Sequence, residues 1–303
     1  MKIIRKINHY LKYLIGLILQ SPKLVIKEFL EDYRKDEQSI NIKKDHNLIW
    51  VCSLPKSGST LVEEILSFYP YVKLDRSLNR FYSKGLLTKP HDISHEMFQS
   101  APKKSLSFIK THTFYDEKFI EIAKRFNTKV ILTFRDIRDV MISRYFHIIA
   151  DKKHRHHKIL NNMDQKSGFI ASFEKNGINK KISSIDYYYN WVLKWKKSTN
   201  SKNFLELWFE EYVTDPENYF KKILKFIGEN EKDSQIKSLK DYLNKNKRRK
   251  MTKSFSDLIN DKSKNVSTFR SGKINNWKNF FDEEITEKFN NSLPGPLNLV
   301  LKK

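Results

Sequence analysis

Residues 48–60 constrain this chain more than any other stretch. Leu48-Ile49-Trp50-Val51-Cys52 is an unbroken apolar run of strand length, fit for a parallel strand buried on both faces. Leu54-Pro55-Lys56-Ser57-Gly58-Ser59-Thr60 follows at once, and then Leu61, Ile65, Leu66 and Phe68 at helical spacing. A strand, a glycine-containing turn and a helix in that order put backbone N–H groups at a helix N-terminus, where the dipole favours an anion. Gly58 lets the backbone approach an oxyanion closely, Ser57, Ser59 and Thr60 add hydroxyl donors, and Lys56 adds a point charge. An ordinary capped turn is the competing reading. The lysine precedes the glycine, unlike the nucleotide loop G-x-x-x-x-G-K-[ST], which argues against an ordinary ATPase or GTPase.

The same alternation continues downstream. Residues 107–112 read as a second strand and residues 129–134 as a third, followed by a helix carrying Val140, Ile142, Tyr145 and Phe146. Ile185, Tyr188, Val192 and Trp195 mark a helix over 185–197, residues 204–209 a fourth strand, and residues 216–227 a further helix. Strands alternating with helices predict an α/β fold, a parallel sheet flanked by helices. Residues 41–303 are expected to form one domain behind an N-terminal helical extension, 1–40. Residues 151–181 are polar, basic and weakly periodic, and read as an excursion over the sheet edge or a lid. The basic run at 244–253 reads as a loop or a helix end.

Three further segments carry candidate chemistry. Lys110-Thr111-His112 closes the second strand, where ligands bind in open α/β sheets. Lys110 and His112, two apart, share a strand face, and a histidine is suited to taking a proton from a hydroxyl; a surface histidine in a basic protein is the alternative. Arg135 ends the third strand and Ser143 lies about two helical turns on, so a guanidinium fork and a hydroxyl can together hold a phosphate. Arg270-Ser271-Gly272 forms another anion cradle ahead of Trp277-Lys278-Asn279, with Trp277 expected as a packing anchor.

Composition sets the partners these segments can serve. With 58 Lys and Arg against 35 Asp and Glu, the net charge of +23 attracts anions, whether nucleic acid, acidic lipid or a polyanionic small ligand; part of the excess fits a chain rich in Lys, Ile and Asn. The single cysteine excludes an internal disulfide framework and a cysteine-rich zinc site and suits a reducing compartment. His154, His156 and His157 stand beside Lys152, Lys153 and Arg155, which repel a metal cation. The apolar run Tyr13-Leu14-Ile15-Gly16-Leu17-Ile18-Leu19 is far short of the roughly 20 residues a spanning helix needs. No small-residue cleavage site follows it. A helix packed on the domain is expected there, with a peripheral contact on anionic membrane as the alternative.

Taken in order, the four segments resemble the sulfotransferase family, most closely its cytosolic type. P-K-S-G-[ST]-T is matched by Pro55 to Thr60, and K-T-H by Lys110, Thr111 and His112. R-x-x-[KR]-D-V-x-x-S-x-Y is matched by Arg135, Arg138, Asp139, Val140, Ser143 and Tyr145, and R-x-G…W-K-N by Arg270, Gly272, Trp277, Lys278 and Asn279. The resemblance implies a sulfuryl donor, 3′-phosphoadenosine 5′-phosphosulfate (PAPS), with no metal. It also implies catalytic Lys56, Lys110 and His112, and a 5′-phosphosulfate cradle of Ser57, Gly58, Ser59 and Thr60. Arg135, Ser143, Arg270, Ser271 and Gly272 would take the 3′-phosphate, and Ser254 with Phe255 the adenine side. The implied acceptor is the hydroxyl or amine of a small molecule, glycan or lipid rather than nucleic acid, and the implied location is cytoplasmic. The chain departs from the family at Leu61, where the loop often has Trp, and at Phe209, where a Tyr lies near the donor. Asp282-Glu283 replace the Thr-Val of the family's dimer motif, so that dimer is not expected. A P-loop kinase, which would need Mg²⁺, and a non-catalytic nucleic-acid or membrane binder on the same fold are the other classes these residues allow.

Overall fold

The structure, a computed structural model, describes residues 48–69, 72–74, 106–174, 177–178, 184–198, 201–229, 232–251 and 272–302. The chain divides into two compact units, Met1–Lys43 with Tyr69–Tyr71, and Lys44–Phe68 with Val72–Lys303. The second unit carries the architecture below. The expected N-terminal helix lies outside the described residues.

Five strands form one parallel sheet: β1 (Leu48–Ser53), β2 (Val72–Leu74), β3 (Leu106–Thr111), β4 (Lys129–Phe134) and β5 (Phe204–Trp208). They lie in the order β2-β3-β1-β4-β5. Every residue of β1 is buried, the physical reason its sequence is continuously apolar rather than alternating. From β1 the chain moves toward β2, whereas from β4 it moves outward to β5. The carboxyl ends of β1 and β4 therefore flank a point where the connections diverge, the place where open α/β sheets bind ligands.

Helices α1 (Ser59–Ser67), α2 (Glu117–Arg125) and α3 (Ile137–Ala150) follow β1, β3 and β4. Then come α4 (His157–Asn161), α5 (Gln165–Phe173) and α6 (Ser184–Lys196), and after β5 α7 (Phe209–Thr214), α8 (Pro216–Ile227), α9 (Asp233–Met251) and α10 (Glu283–Asn291). Local chemistry sets several starts. The Asp136 carboxylate accepts from the Arg138 N–H at the head of α3. Asp215 does the same for Asn218 ahead of Pro216, whose missing N–H costs nothing at a first helical position.

The core beneath the sheet is aromatic. Trp50 packs edge-on against Phe119 and Trp195, each 5.7 Å between ring centres, and Phe134 meets Trp191 at 5.6 Å. Their polar edges are satisfied: Trp50 Nε1 donates to Thr111 Oγ1 at 2.8 Å, and the indoles of Trp191 and Trp195 both donate to the Thr113 carbonyl, at 2.8 and 3.1 Å. Burying each such ring while pairing its N–H removes the usual cost of a polar edge in a core.

The expected α/β class is the class that forms, with three local corrections. The second strand ends at Thr111, so His112 is the first residue past it, and the fourth ends at Trp208, with Phe209 opening α7. Residues 244–251 continue the helix α9, in keeping with a helix end, one of the two readings of that basic run. The stretch read as an excursion or lid instead supplies core. In α5, Phe169 and Phe173 are buried, packed on Tyr145, Phe281 and Phe289, and Asp164 caps the helix by accepting from the Ser167 N–H.

Candidate active site

The turn between β1 and α1 is pinned from below. Ser57 is buried, and its hydroxyl lies 2.6 Å from the Leu54 carbonyl, 2.9 Å from the Thr133 carbonyl and 2.7 Å from Thr133 Oγ1. Its backbone N–H donates to Leu54 O at 3.2 Å. With both donors committed inside the protein, Ser57 ties the turn to β4 rather than offering its hydroxyl outward, a correction to its expected role as a hydroxyl donor. Lys56 (φ 70°) and Gly58 (φ 100°) both take the left-handed region, which gives the turn its sharpness and, at Lys56, stores strain. Gly58 heads α1 and no side chain caps that helix, so its first turn offers uncapped N–H groups. A Cβ at Gly58 would stand 3.0 Å from Phe209 Cδ2. Glycine is thus required twice, for its backbone angle and for the ring above it. Ser59, buried, and Thr60, half-buried, occupy that first turn.

Lys110 and His112 stand at the end of β3, beside this turn. The Lys110 ammonium pairs with the Glu63 carboxylate of α1. His112 is half-buried; its Nδ1 lies 2.9 Å from the Ser53 carbonyl and 3.0 Å from Ser53 Oγ. A carbonyl only accepts, so Nδ1 carries the proton and donates. The Ser53 hydroxyl in turn donates to the Thr111 carbonyl at 3.1 Å. That leaves Nε2 with its lone pair. Burial first, then the charges of Lys110 and Lys56, hold the His112 pKa below its ordinary value, partly offset by the Ser53 bond.

Arg135, buried at the end of β4, joins three segments. Its guanidinium donates to the Lys56 carbonyl at 3.4 Å and to the Lys273 carbonyl at 2.8 Å. It lies 3.6 Å from the Asp139 carboxylate and 4.6 Å over the Phe209 ring. Its Nε–H is buried without a hydrogen-bond partner among the described residues. Asp139, its pKa raised by burial, accepts from the Trp277 N–H at 2.9 Å, and Arg138 stacks 3.7 Å over the Trp277 ring. Trp277 is thereby the packing anchor expected of it. Ser143 is buried on α3, and Gly272 takes a left-handed φ of 63° beside the carbonyl that Arg135 grips. Ser254, Phe255, Arg270 and Ser271 lie outside the described residues.

The structure thus brings together the loop, the K-T-H segment, Arg135 and the Gly272 segment. Sequence reasoning missed the residues that hold them: Ser53 beneath His112, Glu63 on Lys110, and Glu210, whose carboxylate accepts from the Asp136 N–H at 3.0 Å. Phe209 showed only as a departure from a pattern, yet it covers both Gly58 and Arg135. Among the described residues no group of three or more His, Cys, Asp or Glu is placed to hold a metal ion. No helix among them is long and apolar enough to cross a membrane.

Comparison with known proteins converges on one family. The family model described as "Sulfotransferase domain" matches residues 46–293. The flavonol 3-sulfotransferase of Flaveria bidentis is 28% identical over 298 residues, covering 91% of this chain and 90% of that protein. Cytosolic sulfotransferase 5 of Arabidopsis thaliana is 24% identical over 266 residues, covering 79% and 76%. Among solved structures, a mouse sulfotransferase complexed with PAP aligns with a TM-score of 0.54 at 21% identity, over 82% of this chain and 83% of that one. Retinol dehydratase in a complex with retinol and PAP gives 0.53 at 19% identity, over 85% and 84%. These two structures share the fold.

Proposed function

Given that this chain belongs to the sulfotransferase family, we propose that it transfers a sulfuryl group from PAPS to the hydroxyl of a small-molecule acceptor. The observation that carries the reading is the grip of Arg135 on the carbonyls of both Lys56 and Lys273. That grip makes the loop, the arginine that ends β4 and the Gly272 segment one site. The residues fit a donor with two anionic ends. The uncapped start of α1, closed over by Phe209 so that only glycine fits at 58, suits the 5′-phosphosulfate, with Ser59 and Thr60 in the first turn. The unpartnered Nε–H of Arg135, with Ser143, Arg270, Ser271 and Gly272, suits the 3′-phosphate. Ser254 and Phe255 take the adenine side.

His112 acts as base through Nε2, taking the acceptor's proton as the hydroxyl oxygen bonds to sulfur. The sulfur–oxygen bond to the 5′-phosphate breaks, and the charge left on that phosphate is met by Lys56 and by the N–H groups heading α1. Lys110 adds positive charge, its position set by Glu63. In-line group transfer of this kind leans on positioning and electrostatics, and the two lysines supply the charge that a metal ion supplies to phosphoryl transfer. Relatives named for flavonols and for the cytosol support a small hydroxylated acceptor met in the cytoplasm. The test is calorimetric titration with PAP, with and without Mg²⁺, followed by transfer of label from PAPS to a phenol. Binding without metal and a labelled product are expected; binding that requires Mg²⁺, or none, would overturn the reading.

A further inference from the structure

Past Ser143, α3 runs into a cluster of imidazoles that this chemistry does not use. His147 lies one turn beyond Ser143; its ring centre is 6.4 Å from that of His154, which is 5.5 Å from that of His156. All three are half-buried. The His156 N–H donates to His154 Nδ1 at 3.2 Å, so His154 presents its Nε2–H as a donor. Among the described residues, His147 Nδ1 and His156 Nε2 are buried with no hydrogen-bond partner.

The charges around the rings are nearly all of one sign. Lys56 from the loop, Arg144 from α3, Arg155 from the connection and His157 from α4 bear on them, and among the described residues Asp151 opposes, at His147 and His154. Burial and these neighbours lower all three histidines, His147 and His156 to about 4, so near neutral pH the rings are uncharged. A negative group brought among them raises their basicity, and each ring that gains a proton gains a charged donor.

We propose that His147, His154 and His156 form a subsite for a negatively charged group on the acceptor, a carboxylate or sulfate, so that the enzyme prefers anionic hydroxyl compounds. The inference rests on the sulfotransferase reading, and the cluster's place follows from α3, the helix that opens just past Arg135 and carries Ser143 one turn before His147.

The test is calorimetry on the full chain saturated with PAP. The probes are para-hydroxyphenylacetate and its uncharged amide, in two buffers of different ionisation enthalpy near neutral pH. The carboxylate should bind tighter by about tenfold, the worth of a charge-assisted hydrogen bond, and only it should take up a proton. His147→Gln and, separately, His154→Gln should bring the carboxylate-to-amide ratio toward one, with PAP titration of each variant as the check on folding. A wild-type carboxylate that fails to bind, binds no better than the amide, or binds without proton uptake overturns the subsite. The PAP titration decides the sulfotransferase reading separately.

Discussion

His112 Nδ1 lies 2.9 Å from the carbonyl oxygen of Ser53. This one contact fixes which ring nitrogen is the base, because the donor must be Nδ1 and the lone pair must sit on Nε2. The arrangement predicts that His112→Ala cuts turnover on an alcohol acceptor by about 10²–10⁴-fold, the usual worth of a general base. PAP affinity should stay nearly unchanged, whereas Lys56→Ala should lower both. Near-normal turnover by His112→Ala on an acceptor that needs deprotonation would remove the histidine from the mechanism.

The neighbours of His112 set the pH at which it works. Burial, Lys110 and Lys56 lower its pKa from 6.5, and the base is active when unprotonated. The acidic limb of kcat/KM should therefore fall below pH 6.5 rather than at it. Lys110→Met removes a positive neighbour and should move that limb upward. Glu63→Gln leaves the Lys110 charge unopposed and should move it downward. Limbs that move together in the two variants would contradict this electrostatic account.

Arg135 is asked to hold two carbonyls and a phosphate. Arg135→Ala should weaken PAP by about 1.5–3 kcal/mol, the range for a lost charge-assisted hydrogen bond, and lower its preference over AMP. Arg135→Lys should recover little, since an ammonium cannot span the Lys56 and Lys273 carbonyls as a planar fork does. Equal affinity for AMP and PAP in the unaltered protein would remove the 3′-phosphate from this position.

At Gly58, alanine must adopt a φ of 100° with its Cβ 3.0 Å from Phe209. Gly58→Ala should cost about 1–2 kcal/mol from the left-handed backbone alone and weaken PAP further by displacing the ring. Adding Phe209→Leu should restore part of the binding but not the backbone term. A double variant no better than the single would place the whole effect in the backbone.

Much of this was legible in the sequence, for a reason visible in β1 and β4. Strands buried on both faces must be apolar throughout, and the turn after β1 must carry glycine where a ring and a left-handed angle coincide. What was not legible depends on register and crossover. Ser53 meets His112 because β1 and β3 pair in parallel with Cys52 opposite Thr111, and Glu63 meets Lys110 because α1 packs against β3. Neither partner is signalled by its neighbours in sequence. Phe169 and Phe173 were hidden differently, in a nine-residue helix set within basic residues, too short for its period to show. Ser57 has the right residue type for a phosphate donor, and only its contacts with Thr133 reveal that it holds the turn instead.

The imidazole cluster carries the last prediction, on stability. His147 and His156 have pKa values lowered from 6.5 to about 4, chiefly by burial. Between those values the unfolded chain binds protons that the native state resists, so stability should fall as pH drops through that window and level off below it. Asp139 and Glu210 work in the opposite sense: burial raises their pKa values, so protonation at low pH relieves them. The two effects separate by substitution. His147→Gln and His156→Gln should each flatten the loss of stability between pH 6.5 and about 4, read as urea midpoints across pH. Asp139→Asn removes an opposing contribution and should leave that fall in place or steepen its acidic end. If all three variants kept the unaltered slope, the rings would not be the groups that titrate there.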